Sequence, residues 1–172
     1  MRPLPPPLLV PPPVVNDPAE NPEQEPKKIP QELICKILDK IQESHRPVLF
    51  PGNGVRLAGA IEEFHQLVDI LGIPVITGMS SVDAIEADHP CFVGRSGGTG
   101  TRPGNFALQN SDVLLSIGNR QGFTQTGFQY QDWARESYTI LNDIDENELK
   151  KPSLHVSLPV VGDAGELIRG LL

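Results

Sequence analysis

The sequence predicts an α/β fold: a Rossmann-like, doubly wound, mainly parallel sheet of about six strands, preceded by a proline-rich N-terminal arm. Two observations predict it. Short apolar runs of strand length alternate with segments whose apolar residues recur every three or four positions, the pattern of strands interleaved with helices. Nearly every apolar run also ends in a small or polar loop, as strands do where an open parallel sheet presents its ligand-binding edge.

The first thirty residues hold eleven of the eighteen prolines. A stretch such as Pro5-Pro6-Pro7-Leu8-Leu9-Val10-Pro11-Pro12-Pro13 lacks the backbone donors of a helix interior or central strand, so 1–29 reads as an extended arm or linker. A docking segment for an SH3-type or WW-type partner is the other use of such composition. From Pro30 the periodicity becomes helical. Leu33, Ile34, Ile37, Leu38 and Ile41 share one face up to about Ser44, and Pro47 opens the first strand, Pro-Val-Leu-Phe-Pro.

A helix follows with Leu57, Ala60, Ile61, Phe64, Leu67, Val68 and Leu71 on its apolar face, and Gly72 stops it. Ile73-Pro74 leads into the second strand, Pro-Val-Ile, and Cys91 begins the third, Cys-Phe-Val. Pro103 sits where the short helix to Asn110 would start, ahead of the strand Val113 to Ile117. Gln131 to Glu136 reads as a turn or two of helix, Tyr138 to Asn142 as a strand, and Glu146 to Lys150 as a short helix. Leu154 to Leu158 reads as a last strand. Asp163 then caps a terminal helix carrying Leu167, Ile168, Leu171 and Leu172. Residues 30–172 thus form one α/β domain.

Composition excludes several classes. The formal charge of −8 and pI near 4.9 argue against nucleic acid or an anionic membrane surface as the main partner. No apolar run reaches the roughly 20 residues of a membrane span, and the sequence reads as cytoplasmic. Cys35 and Cys91 are too far apart for a Cys-x-x-Cys pairing, and His45, His65, His89 and His155 fall in no metal-ligand spacing. Ser80, Ser81, Ser96 and Ser116 lack a Gly-x-Ser-x-Gly elbow with plausible catalytic partners. No catalytic residue is expected.

The strand-end loops carry the binding chemistry. Gly52-Asn53-Gly54 follows a strand and opens a helix, where glycines let a backbone approach a phosphate. The third glycine of Gly-x-Gly-x-x-Gly would fall on Leu57, and no acidic residue ends the second strand. An ordinary NAD-dependent enzyme is therefore disfavoured.

Six ordered motifs then carry a resemblance. They are Arg46-Pro-Val-Leu-Phe-Pro-Gly-Asn-Gly-Val, Leu71-Gly-Ile-Pro-Val-Ile-Thr-Gly, Phe92-Val-Gly-Arg-Ser-Gly-Gly-Thr-Gly, Asn105 through Arg120, Leu141-Asn-Asp-Ile-Asp, and Gly162-Asp. Over about residues 30–172 the chain resembles the central domain of thiamine diphosphate-dependent enzymes of the acetolactate synthase type, with a DHS-like NAD/FAD-binding sheet. The resemblance implies a noncatalytic scaffold within a larger enzyme. Thiamine diphosphate and Mg²⁺ would belong to that full enzyme's pyrimidine- and diphosphate-binding domains, absent from this sequence, and the parent would be a homo-oligomer. The parent reaction would be decarboxylation or carboligation of a 2-oxo acid, and this chain alone would be inactive.

In this branch the central domain binds FAD; in others it binds an ADP-type nucleotide or nothing. By position, Gly52, Asn53 and Gly54 would face a diphosphate or ribityl group. Thr77, Gly94, Arg95, Ser96 and Gly97 would line the same groove, and Gly118, Arg120 and Gln121 would follow the fourth strand. Asp143, Asp145 and Asp163 would meet the adenosine end. Arg95 and Arg120 are the best anion contacts, and a salt bridge to Asp143 or Asp145 would use them equally. Ser96 stands where the family often carries histidine. Phe123, Phe128, Tyr130 and Trp133 cluster in a Gln-rich loop that could cover the groove or meet another domain.

Gly162-Asp163-Ala164-Gly165 resembles the start of a diphosphate and Mg²⁺ site, yet the Asn needed ~25 to 30 residues onward would fall beyond Leu172. It reads instead as the entry to the terminal helix. A stand-alone nucleotide- or flavin-binding module remains the alternative reading, and a sirtuin-like enzyme on a similar sheet lacks its histidine setting.

Overall fold

The computed structural model describes residues 28–172, so the arm expected over 1–29 lies almost wholly outside the described residues. In chain order the elements are α1 (Gln31–Glu43), β1 (Pro47–Pro51), α2 (Asn53–Leu57), α3 (Ile61–Leu71), β2 (Val75–Thr77), β3 (Phe92–Arg95), α4 (Arg102–Asn110), β4 (Val113–Ile117), α5 (Phe123–Thr126), β5 (Tyr138–Asp143), α6 (Glu146–Leu149), β6 (Leu158–Val161) and α7 (Ala164–Leu171). Short 3₁₀ turns at Met79–Ser81 and Tyr130–Asp132 complete the set. The six strands form one sheet in the order β3-β2-β1-β4-β5-β6, every pair parallel.

The apolar runs explain the layering. Along a strand successive side chains point to opposite faces, so a fully apolar run buries both. Leu49 of β1, Leu115 of β4 and Ile140 of β5 enter one core with Ile34, Phe64, Leu67 and Ile168, contributed by α1, α3 and α7. Val48, Phe50, Leu114 and Leu141 enter a second core with Leu108, Trp133 and Leu149. The expected doubly covered parallel sheet is therefore present. Cys91 is half-buried and packs against the first core, as an apolar filler would.

Three local expectations are corrected. The helix expected from Leu57 to Leu71 is two helices, because Gly59 turns left-handed at φ 64° between α2 and α3. That break rotates Leu57 out of the apolar face, where it is 81% exposed. Gln131 to Glu136 holds only a 3₁₀ turn at its start, while an unforeseen turn of helix, α5, stands earlier in the same segment. The last strand begins at Leu158 and not at Leu154; Leu154 and Val156 instead pad the second core from a loop.

The foot of the sheet is fastened by Asp112. Its carboxylate accepts hydrogen bonds from Ser44 Oγ, from the His45 N–H at 2.8 Å and from the Arg46 N–H at 2.9 Å. Burial acts to raise its pKa, but these three donors outweigh that and hold it at about 2. Among the described residues no helix is long and apolar enough to cross a membrane.

Candidate functional site

At the carboxyl ends of the strands the loops after β1 and β4 diverge to opposite sides, since β1 connects onward to β2 and β4 onward to β5. Such a switch point leaves a crevice. Here it opens into a cavity of about 810 Å³. Its floor is the crossing of two backbones: the Gly54 N–H donates to the Gly118 carbonyl at 2.9 Å, and the Gly52 N–H donates to the Ile117 carbonyl at 2.8 Å. A Cβ on Gly52 would stand 2.2 Å from that same Gly118 oxygen, so a glycine there is required by loop contact alone.

Eight of the fourteen residues expected at a site line this cavity: Asn53, Gly54, Gly118, Arg120, Gln121, Asp143, Asp145 and Asp163. Gly52, Thr77, Gly94, Arg95, Ser96 and Gly97 are not among its described lining residues. Thr77 and Ser96 are buried, and Gly94 closes against Thr101. Arg95 ends β3 with its side chain exposed.

The acidic side of the cavity comes from β5, α6 and the turn before α7. Asp143 Oδ1 accepts the Asp145 N–H at 3.0 Å, and Asp145 Oδ1 caps α6 by accepting the Asn147 N–H at 2.9 Å. Partial burial raises the pKa of Asp143; the Asp145 N–H opposes this, while the charges of Glu148 and Asp145 add to it. Arg120 pairs with Glu148 at 3.1 Å, and not with Asp143 or Asp145 as the sequence allowed. Burial would raise Glu148, yet Lys151 and then Arg120 hold it below its ordinary value. The Arg120 side chain is 76% exposed and is the lone cation among the described lining residues beside four carboxylates.

Two residues that sequence reasoning passed over hold the site together. Asn142 is buried at the end of β5; its Oδ1 accepts the Gly118 N–H at 3.1 Å and its Nδ2 donates to Val160 O and Gly162 O at 3.1 and 2.9 Å. One side chain thereby joins the ends of β4, β5 and β6. A polar residue inside an apolar strand was the available signal. The other is Gln125 on α5, whose carboxamide reaches across to Ser96 Oγ at 2.7 Å. Gln121, for its part, is buried with φ 52°, donates Nε2 to Ser116 Oγ at 2.8 Å and leaves Oε1 without a partner among the described residues.

The aromatics of the β4–β5 segment divide. Trp133 is buried in the second core, whereas Phe123 and Phe128 are exposed and face each other with ring centroids 6.0 Å apart.

The residues do not fit a diphosphate and Mg²⁺ site. Asp163 Oδ1 caps α7 by accepting the Glu166 N–H at 3.1 Å, and Arg169 lies 3.9 Å from the same oxygen. Among the described residues no group of three His, Cys, Asp or Glu side chains could hold a metal ion.

A family model described as "Thiamine pyrophosphate enzyme, central domain" matches residues 34–171. A probable acetolactate synthase large subunit from Methanococcus aeolicus is 38% identical over 139 residues, covering 81% of this chain and 23% of that protein. The probable large subunit from Methanocaldococcus jannaschii is 38% identical over 152 residues, 88% of this chain and 25% of its own. The acetolactate synthase large subunit of Corynebacterium glutamicum is 35% identical over 161 residues, 94% of this chain and 25% of its own. The chain thus spans about a quarter of the length of the curated relatives it matches.

Proposed function

This chain belongs to the thiamine pyrophosphate enzyme central-domain family, within its acetolactate synthase-like relatives, and on that premise we propose that it is a noncatalytic scaffold whose groove holds an adenine nucleotide, FAD or ADP. The observation that carries the reading is the crevice between the β1 and β4 loops. Its floor is bare backbone at Gly54 and Gly118, and carboxylates gather on one flank. Asp143, Asp145 and Asp163 suit the hydroxyl and amino donors of an adenosine, since carboxylates only accept. Arg120, exposed enough to turn from Glu148, suits a diphosphate. The bound nucleotide would bridge the two halves of the sheet.

Within the parent enzyme, thiamine diphosphate and Mg²⁺ would be held by other domains and would supply the chemistry of 2-oxo acid decarboxylation or carboligation. The contribution of this chain is structural. Neighbouring domains of the same parent, its homo-oligomeric assembly and a cytoplasmic setting complete the proposal.

The test is a thermal-shift titration of the purified chain with FAD, ADP, NAD and thiamine diphosphate, together with its absorbance as isolated. A ligand bound only by the folded state stabilises it by ~2.7 kcal/mol at a hundredfold excess over Kd. A shift with FAD or ADP alone is expected. No shift with either would leave the scaffold without its nucleotide.

A further inference from the structure

We propose that Gly122–Gly127 is a strap, latched by Gln125 to the turn after β3, that decides whether the groove admits a ligand longer than a nucleoside diphosphate; this rests on the nucleotide reading of the groove. The residues that sequence position assigns to the far arm of the groove, Thr77, Ser96 and Gly97, lie outside the cavity because α5 crosses above them. Two kinds of contact hold it there. The Gly98 N–H donates to the Thr124 carbonyl at 2.9 Å. With the Gln125 carboxamide oriented to satisfy both its ends, Oε1 accepts from Ser96 Oγ at 2.7 Å and from the Gly97 N–H at 3.2 Å, and Nε2 donates to Ser96 O at 3.3 Å.

Beneath the strap the structure is prepared for something further. Thr77 Oγ1 is buried and has no hydrogen-bond partner among the described residues, a cost that a covering of protein alone does not offset. A Cβ on Gly78 would meet Gln125 at 3.2 Å, and one on Gly97 would meet the Thr124 carbonyl at 2.9 Å, so the strap rests directly on side-chain-free backbone. Positive φ angles mark both ends of the strap, Gln121 at φ 52° just before it and Gly127 at φ 74° as its last residue. Its outer side carries Phe123, which stacks on Phe128 and is 68% exposed, so little apolar packing holds the segment down. Opening the latch would join Thr77, Ser96 and Gly97 to the cavity and extend the groove from the β1–β4 switch point toward β3.

The experiment compares the full chain with Gln125→Ala, reading amide hydrogen exchange at Gly97 and Gly98 by NMR and the affinities for FAD and ADP. The Gly98 N–H is held by the strap through Thr124 O, whereas the Gly97 N–H keeps its 2.8 Å bond to Asn105 Oδ1 when Gln125 is truncated and so serves as the internal reference. Loss of the latch is expected to speed exchange at Gly98 about fivefold or more relative to Gly97, and to raise the ratio of FAD to ADP affinity by about the same factor. Unchanged Gly98 exchange would overturn the strap whether or not any nucleotide binds. Faster exchange with an unchanged affinity ratio would overturn its role in selection. Should neither nucleotide bind either protein, the nucleotide reading fails and selection fails with it, while exchange alone still decides whether the strap is latched.

Discussion

Gly54 and Gly118 meet backbone to backbone at the centre of the groove: a Cβ on Gly54 would lie 2.7 Å from Gly118 Cα, and one on Gly118 would lie 2.8 Å from Gly54 Cα. The absence of both side chains is what lets the β1 and β4 loops cross. Gly54→Ala should therefore destabilise the fold by about 1–3 kcal/mol through overpacking. Gly118→Ala should cost about 1 kcal/mol more, because φ 59° is left-handed. Urea midpoints measure both, and an unshifted midpoint for Gly118→Ala would refute the crossing as a constraint.

The Asp112 clasp predicts acid sensitivity with a definite sign. A carboxyl depressed from 3.8 to about 2 contributes stability that is complete above pH 3.8 and is lost as pH falls through about 2. Allowing for solvent screening, the contribution is about 1 kcal/mol. Asp112→Ala should lower stability at pH 6 and flatten the fall between pH 4 and pH 2. Chemical denaturation at a series of pH values would show this, and parallel curves for the two proteins would count against it.

Asp143 predicts the opposite slope. Its folded pKa is raised, so its contribution is greatest below pH 3.8 and is lost as pH rises through the folded value. Asp143→Asn retains the acceptor for the Asp145 N–H and removes the partly buried charge. The variant should be more stable than the parent at pH 7 and indistinguishable from it near pH 3. Equal thermal midpoints at pH 7 would show that the charge costs nothing.

Arg120 separates binding from stability. Its exposed pairing with Glu148 contributes little, so Arg120→Ala should change the unfolding free energy by no more than about 0.5 kcal/mol. Its loss should weaken ADP binding about tenfold, the value of a charge-assisted contact to a phosphate. Isothermal titration gives the second number and denaturation the first. A variant that binds ADP as the parent does would remove Arg120 from the site.

Legibility in the sequence followed how local each cause is. The strands at Val48–Phe50 and Val113–Ile117 were readable because burial on both faces leaves an unbroken apolar run, and Asp163 was readable as a cap because capping is decided within four residues. The break at Gly59 was less so: the apolar spacing continues across it, and only the backbone turn shows that Leu57 leaves the core. At the candidate site, position in the sequence points to loop glycines and strand-end aspartates, and Gly54, Gly118, Asp143 and Asp145 line the cavity. Nothing near Ser96 and Gly97 in sequence reveals Gln125, 29 residues away from Ser96, which hydrogen-bonds to it and separates the pair from the cavity in this structure. The role of Asn142 is not legible because its three partners, Gly118, Val160 and Gly162, lie 18 to 24 residues away at the ends of the neighbouring strands.

The strand order carries a kinetic consequence. Arg46 and Asp112, which fasten the start of the β1–β4 seam, are 66 residues apart, whereas each flanking set, β1 to β3 and β4 to β6, is joined by shorter connections. Closing so long a loop is slow, so each half can collapse well before the central seam zips. Gly54 and Gly118 come from opposite halves and, on that order of events, would meet at the last step. A molecule seated across them would thus leave the folding rate nearly untouched and instead prolong the lifetime of the finished fold.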